Sequence, residues 1–397
     1  MSTKRLTEFF GLPNLKHLKT HYQQSKRFME LHFEHQDHQN CPYCSSSSVK
    51  THQWRIRKVK DSPIRGRIPI LFIKHRRMKC LSCHKTYTEK IQGLNKHARI
   101  TQRLQREILY ACENFKDHKR VRKHTSCGSK TIYDRCYKEL RKKQSERQNN
   151  PWPRAVGIDE HAFTKNKQLG HREFVTLIVD HDNKRPKELV PGRVGSVLHQ
   201  SLSHIPGRER VEYVTMDLSI TYRSFAKSFF PNAKIVADHF HVVRLLHPAI
   251  NRRRKAITGD ERKNPIRKLL LKKATNLEFF KRKAIERWLR DHPELEAIYK
   301  AKEWLHKLYR CRGFKKARRC FINLTDWLAL QDVKELKTLR KTLMKWRDEI
   351  LMFFKKRITN ARAEGFNNVA KSMIKNAYGF KNVENYRLKI LNVRSGG

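Results

Sequence analysis

Two short cysteine pairs, CPYC (Cys41, Cys44) and CLSC (Cys80, Cys83), constrain the N-terminal part of this chain more tightly than any other feature. A tight turn aims both thiolates of a C-x2-C pair at one point, so two such pairs have the donor set of a tetrahedral Zn2+ site. The 35 residues between the pairs read as β structure. THQWRIRKVKD and GRIPILFIKHRRMKC carry β-branched, aromatic and basic side chains on either side of a Pro/Gly turn. The expectation is a zinc ribbon with a long hairpin over 41–92, following an N-terminal segment of 1–40. His75 and His84 are the substitute ligands to consider, and four free thiols in a reducing compartment are the bland alternative. The remaining cysteines, at 112, 127, 136, 311 and 320, are scattered and bring the total to an odd nine. That count argues against a secreted disulfide framework.

Charge sets the partner class. Lys plus Arg is 89 and Asp plus Glu is 37, a formal net charge of +52 over 397 residues. A polyanion is expected, and neutralising many phosphates makes such binding steeply salt-dependent. With 38% apolar and 10% aromatic residues, the chain has the material for several cores rather than a disordered basic tail. Its longest apolar run is IPILFI at 68–73, too short for a membrane span, and the first fifteen residues lack a signal-peptide h-region. The expected location is cytoplasmic, with nucleic acid rather than a membrane as the anionic partner.

Between 99 and 142, Leu104, Ile108 and Leu109, then Ile132, Cys136 and Leu140, recur at helical spacing. A turn with Ser126 and Gly128 precedes the last of these helices. A basic helix-turn-helix over 93–150 is a major-groove reader in shape, and Ser129, Lys130 and Tyr133 are its candidate DNA-contacting residues. A helical hairpin that binds nothing is the competing reading. RKKQSERQNNPWPR, 141–154, has the polar then Pro-rich composition of a linker.

Beyond it the pattern turns to strands: RAVGIDE, REFVTLIVD and KELVPG, then a helix, RVEYVTMD, another helix, and AKIVADHF. This is an α/β layout with a mixed sheet. From about 241 to 357 strand signals vanish, and Leu336, Leu339, Leu343, Trp346, Ile350 and Phe353 mark a long amphipathic helix in an all-α segment.

Two strands end in aspartate, VGID at Asp159 and YVTMD at Asp217. One such residue is most simply a turn or helix cap. RITNARAEGFNNVAKSMIKN adds a single acid, Glu364, on a helix. At about 100° per residue, Phe366, Val369, Ala370, Met373 and Ala377 cluster on one side, and Glu364, Asn367, Asn368, Lys371 and Lys375 on the other. The polar side is either a solvated face or a working one, with Asn367, Asn368, Lys371 and Lys375 as candidate DNA contacts. Three converging carboxylates would hold Mg2+ or Mn2+, hard cations that leave coordination positions for water and phosphate oxygens. Paired ions of that kind assist in-line displacement at phosphorus.

VGIDEHAF, VTMDLSITYRSFAKSFFPNAKIVADHFHVVR and TNARAEGFNNVAKSMIKNAYGF, preceded by CPYC…CLSCHKTYTE, closely resemble DDE transposases of bacterial insertion sequences, in particular the IS-L-three group. The resemblance covers nearly the whole chain. It implies a ribonuclease-H-like catalytic domain interrupted by an all-α insertion and preceded by a zinc ribbon and a helix-turn-helix. The parts would be 151–250, first catalytic part; 251–350, insertion; and 351–397, final helical part. It further implies binding of terminal inverted repeats and target DNA, Mg2+-dependent cleavage and strand transfer, a homo-oligomer, and a bacterial, nucleoid-associated protein. Asp159 and Glu364 match the first and last acids of the family motif. Asp217 and Asp238 both follow strands; Asp217 is taken as the second acid because it follows the fourth strand, which lies beside the first in such sheets. Asp238, the alternate, then forms a supporting D-x-x-H element with His241. Glu160 should face the other side of its strand. No GxxxxGK[ST] loop occurs, in keeping with transesterification that needs no ATP. A non-catalytic DNA-binding regulator and a hydrolytic metal-dependent nuclease are the competing readings.

Overall fold

The computed structural model describes residues 7–22, 27–37, 39–113, 117–165, 172–259, 265–377 and 379–393. The chain divides into two compact units, Met1–Gln144 with Lys375–Phe380, and Ser145–Ile374 with Lys381–Gly397.

In the first unit, β1 (Leu15–Tyr22), β2 (Phe28–His35), β3 (Val49–Lys60), β4 (Ile68–Cys80) and β5 (Thr86–Thr88) form one sheet in the order β1-β2-β4-β3, with β5 paired to β4. The β3–β4 hairpin is the one expected between the cysteine pairs, with Val49 opposite Cys80. The sequence reading places residues 1–40 outside the ribbon, whereas β1 and β2 extend the same sheet, because β2 pairs in parallel with β4 from Phe28–Ile68 to Glu34–Lys74. Alternation puts Leu31, Phe33, Val59, Leu71 and Ile73 on one face, where they pack with Phe10, Leu12, Leu15 and Ile91. Three helices follow: α1 (Gln102–Glu113), α2 (His118–Thr125) and α3 (Ser129–Ser145). Asp117 caps α2 by accepting from Arg120 N, and Ser126 ends it in the left-handed region at φ 50°. Leu104, Ile108, Val121, Ile132, Cys136 and Leu140 are buried, so the expected apolar spacing is a core stripe.

In the second unit, β6 (Ala155–Lys165), β7 (Arg172–Asp180) and β8 (Arg185–Pro191) form an antiparallel meander. After α4 (Gly195–Leu202), β9 (Tyr213–Met216) joins β6 in parallel, and after α5 (Ile220–Phe229), β10 (Lys234–Ala237) joins β9 in parallel. The sheet order is β10-β9-β6-β7-β8. Val156 and Ile158 of β6 face α4 and α5 in one core with Trp152, Leu198, Phe225 and Phe229. Gly157, Asp159 and His161 project from the other face.

Eight helices lead away from β10: α6 (His239–Arg244), α7 (His247–Thr258), α8 (Pro265–Leu271), α9 (Phe279–Arg290), α10 (Pro293–Arg310), α11 (Phe314–Ala329), α12 (Lys334–Lys345) and α13 (Arg347–Lys356). Their apolar faces form one large core that also takes in Val236 and Ala237 of β10. Leu336, Leu339, Leu343, Trp346, Ile350 and Phe353 are all buried in it. They lie on two helices, not on one long one: Trp346, at φ −109° and ψ 17°, leaves the helical region and separates α12 from α13. Burial of its ring in the core, with the Arg223 guanidinium 4.8 Å from the ring centroid, holds the break in place. Helices α14 (Ala361–Asn376) and α15 (Val383–Leu391) complete the chain.

At Gly157, β6 is crowded by the side chains of Asn360, just before α14, and His181, just after β7, and has room for glycine alone. A Cβ at Gly157 would stand 2.7 Å from Asn360 Oδ1 and 2.8 Å from His181 Nε2. Gly157→Ala is therefore expected to lower stability by about 1–3 kcal/mol, the usual cost of overpacking. Chemical denaturation of the purified chain measures it, and a change under about 0.5 kcal/mol would mean that α14 is not seated as described.

Candidate active site

The aspartates owe their alignment to strand register. Gly157 of β6 pairs with Thr215 of β9, and Met216 of β9 with Ala237 of β10. Carried forward, that register sets Asp159 beside Asp217 and Asp217 beside Asp238. Asp238 N donates to Met216 O at 2.8 Å, which ties the last two together. Asp159 itself is not at a strand end as expected: β6 runs on to Lys165 against β7, and only its partner β9 stops. The acid thus projects from a rigid strand at the point where the neighbouring strand has left the sheet.

Burial and the neighbouring Asp217 charge push the Asp159 carboxyl up to about 6. Its Oδ1 accepts from Glu160 N at 2.8 Å, and the Asn367 amide also bonds it. Beyond Asp217 the charge is balanced by His241, whose Nδ1 lies 2.8 Å from Asp217 Oδ1 and 3.0 Å from Asp238 Oδ2. The two carboxylates, Asp217 first, raise the imidazole to about 10, so His241 stands as a cation between them. Asp238 is 3% exposed, and its Oδ1 is buried with no hydrogen-bond partner among the described residues. A buried carboxylate oxygen left in that state is costly unless a cation is near. Asp217, Asp238 and His241 form a set whose ligand atoms all lie within 4.8 Å of one another; among the described residues, Asp159, Asp217 and Glu364 do not form so tight a set.

Glu364 reaches this region on α14, which two amides fasten to the sheet. Asn360, just before the helix, donates from Nδ2 to Ile158 O at 3.1 Å and accepts at Oδ1 from Thr215 Oγ1 at 2.8 Å, bridging β6 and β9. Asn367 donates to Glu160 O at 3.2 Å, and His161 Nδ1 lies 2.8 Å from its Oδ1. Glu364, half-buried, lies between them in sequence, and its charge acts on His239 at the start of α6. Asn367 therefore departs from expectation. It is 2% exposed and packs on the strand instead of facing outward, because its amide satisfies three polar groups of β6. Asn368, Lys371 and Lys375 are exposed, as are Ser129, Lys130 and Tyr133 on α3. Glu160 faces away from the aspartates, accepting from Tyr222 Oη at 2.8 Å. Asn360 is not among the residues expected from the sequence, yet the spacing Asn360-Glu364-Asn367, four then three, carries the signal: it puts all three on one helix face.

In the first unit the four expected cysteines converge, with Cys41 Sγ 3.6 Å from Cys83 Sγ and Cys44 Sγ 3.6 Å from Cys80 Sγ. Two matching knuckles build the cluster. Cys41 N donates to Ser46 O and Cys80 N to Lys85 O, and the residue after each pair, Ser45 or His84, is left-handed at φ 59° and 60°. The Cys83 N–H contributes most to lowering the Cys80 thiol to about 6. This donor set and spacing fit Zn2+. Neither His75 nor His84 belongs to the cluster.

The chain thus combines a mixed sheet that aligns aspartates along adjacent parallel strands with a four-cysteine ribbon. The family "Transposase" of the ISL3 group of DDE transposases matches residues 156–390, and the "zinc-finger of transposase IS204/IS1001/IS1096/IS1165" matches 37–83. The chain belongs to the ISL3-group DDE transposase family. It is similar to the transposase for insertion sequence element IS1001 of Bordetella parapertussis, 25% identical over 366 residues that cover 88% of this chain and 87% of that one. No helix among the described residues is long and apolar enough to cross a membrane.

Two outcomes follow. Replacing Cys41 and Cys44 with serine is expected to release about one equivalent of zinc and to unfold the knuckle end of the ribbon, as read by metal analysis and limited proteolysis. His181, whose Nε2 lies 2.8 Å from Thr215 Oγ1, is pushed down to about 4 by burial and by Arg362. Because that value lies below the ordinary 6.5, its stabilising contribution is complete above pH 6.5 and drains away as the pH falls toward 4. The thermal midpoint should drop between pH 7 and 5, and by less in His181→Gln.

Proposed function

We propose that this transposase binds the terminal inverted repeats of an insertion sequence and catalyses Mg2+-dependent (or Mn2+-dependent) cleavage and strand transfer. Asp159, Asp217 and Glu364 would hold the metal in a ribonuclease-H-like catalytic domain. The observation that carries this reading is the shared register of Asp159, Asp217 and Asp238, with α14 fastened alongside by Asn360 and Asn367. The sheet order, three antiparallel strands followed by two parallel ones on the far side of the first, supports the ribonuclease-H-like assignment.

The donor set fits a hard divalent cation. It is all oxygen, it includes an acid whose anion is disfavoured until a cation arrives, and it adjoins an orphaned Asp238 oxygen. When bound, such ions make a water or a 3′-hydroxyl a better nucleophile and neutralise the leaving oxygen at phosphorus. The protein's own groups do the rest. Asn367 and the Glu160 N–H orient the Asp159 carboxylate, and His241 orients Asp217 through Nδ1 while spreading positive charge toward the backbone phosphates. Asp238 supports His241 from behind. Asn368, Lys371 and Lys375 on α14 line the same helix and would meet the phosphates.

The Cys41-Cys44-Cys80-Cys83 site would hold structural Zn2+, and the helices carrying Ser129, Lys130 and Tyr133 would read the element ends as a helix-turn-helix. Recombination joins two ends at once, so a homo-oligomer acting in the bacterial cytoplasm is part of the proposal, with the helical segment 251–350 as an insertion in the catalytic domain.

Cleavage and joining of a labelled element-end duplex with Mg2+ test this. Asp159→Ala, Asp217→Ala and Glu364→Ala should bind the duplex as wild type does while losing more than about 100-fold in both steps. His241→Ala and Asn367→Ala, which act through a metal-binding carboxylate, should lose about 10–100-fold. Cut ends that are never joined would mean a nuclease, and undiminished activity in the three acid variants would remove the metal role altogether.

A further inference from the structure

The helical module of the first unit carries a second convergence of soft ligands that the ribbon does not explain. Cys112 in the last turn of α1, His118 at the start of α2 and Cys136 in α3 bring two Sγ atoms and an imidazole nitrogen within 4.8 Å of one another. These residues come from three different helices. Both cysteines are buried, and His118 Nε2 is buried with no hydrogen-bond partner among the described residues. The His118 ring is held edge-on against Tyr137, centroids 5.9 Å apart, and against Tyr133 at 6.3 Å.

An imidazole nitrogen in that position lacks the partner that burial normally demands. Beside it lie two thiols, which as thiolates are good ligands for a borderline-soft cation. Ligand atoms held at ~2.0–2.3 Å around a tetrahedral ion are roughly 3.3–3.8 Å apart, so a small contraction of the observed set suffices. A three-helix module of this size has little apolar core, and such modules commonly gain stability from a metal or a covalent cross-link. We infer that Cys112, His118 and Cys136 form a second zinc site, distinct from the ribbon site, which cross-links α1, α2 and α3. A water completes the tetrahedron. Because Tyr133 and Tyr137 pack on the His118 ring, the metal also fixes the N-terminal half of α3, where Ser129 and Lys130 are exposed.

The test is zinc content of the full-length chain purified under reductant, measured by elemental analysis, with Co2+ substitution as a spectroscopic reporter. Wild type should carry about two equivalents. Cys41→Ser/Cys44→Ser and Cys112→Ser/Cys136→Ser should each retain about one. The Co2+ spectrum left in the first variant should show two thiolates and an imidazole, and that left in the second, four thiolates. His118→Phe should lose the second equivalent and His118→Cys should keep it, which separates a ligand from a packing residue even if serine variants fold poorly. One equivalent in wild type, two in the Cys112→Ser/Cys136→Ser variant, or a Cys112–Cys136 disulfide in the reduced preparation would each overturn the assignment.

Discussion

Two buried amide side chains fasten α14 and the residue before it to the sheet that carries the aspartates. Asn360 spans β6 and β9 through the Ile158 carbonyl and the Thr215 hydroxyl, and Asn367 bonds three groups of β6 around Asp159. Each leaves water only because a partner is in place, so seating the helix a turn out of register would strand several buried polar groups at once. Gly157 gives the same constraint a steric form, since the strand must lack a side chain where Asn360 crosses it. Glu364 lies between these amides in sequence and inherits its position from them.

The electrostatics of the site follow from that seating. Burial and Asp217 make the Asp159 anion unfavourable, while His241 compensates Asp217 and Asp238 on the other side. Asp159 is thus crowded by the Asp217 charge, and Asp217 pairs with the imidazolium. On the proposed function, a divalent cation at Asp159 and Asp217 would relieve the crowding of like charge there. The Asp238–His241 pair holds a nitrogen 2.8 Å from Asp217 Oδ1. The net charge of +52 over the whole chain favours a polyanionic partner at longer range.

Local periodicity made much of this legible. The β3–β4 hairpin, the three helices of the basic module, and the alternation of strand and helix from Ala155 to Ala237 are patterns within one segment, where side-chain spacing reports the backbone directly. The two cysteine pairs were equally plain, because a knuckle is a local object. The helix break at Trp346 was not, since apolar spacing continues across it and burial of the indole decides the bend. Asn367 departs for a related reason: a polar residue on a helical wheel reads as outward-facing, whereas this asparagine is buried and satisfied by polar groups of β6.

By itself the sequence determined the β3–β4 hairpin, the strand–helix alternation from Ala155 to Ala237 and the two cysteine pairs of the ribbon, since each depends on residue type and short-range spacing. Tertiary structure alone decided what required contacts between distant segments. It set β2 against β4, aligned Asp159, Asp217 and Asp238 through the register of strands far apart in the chain, and brought Cys112, His118 and Cys136 together from three helices. Register and convergence depend on which buried hydrogen bonds and apolar faces can be satisfied at once, and no single stretch of sequence carries that information.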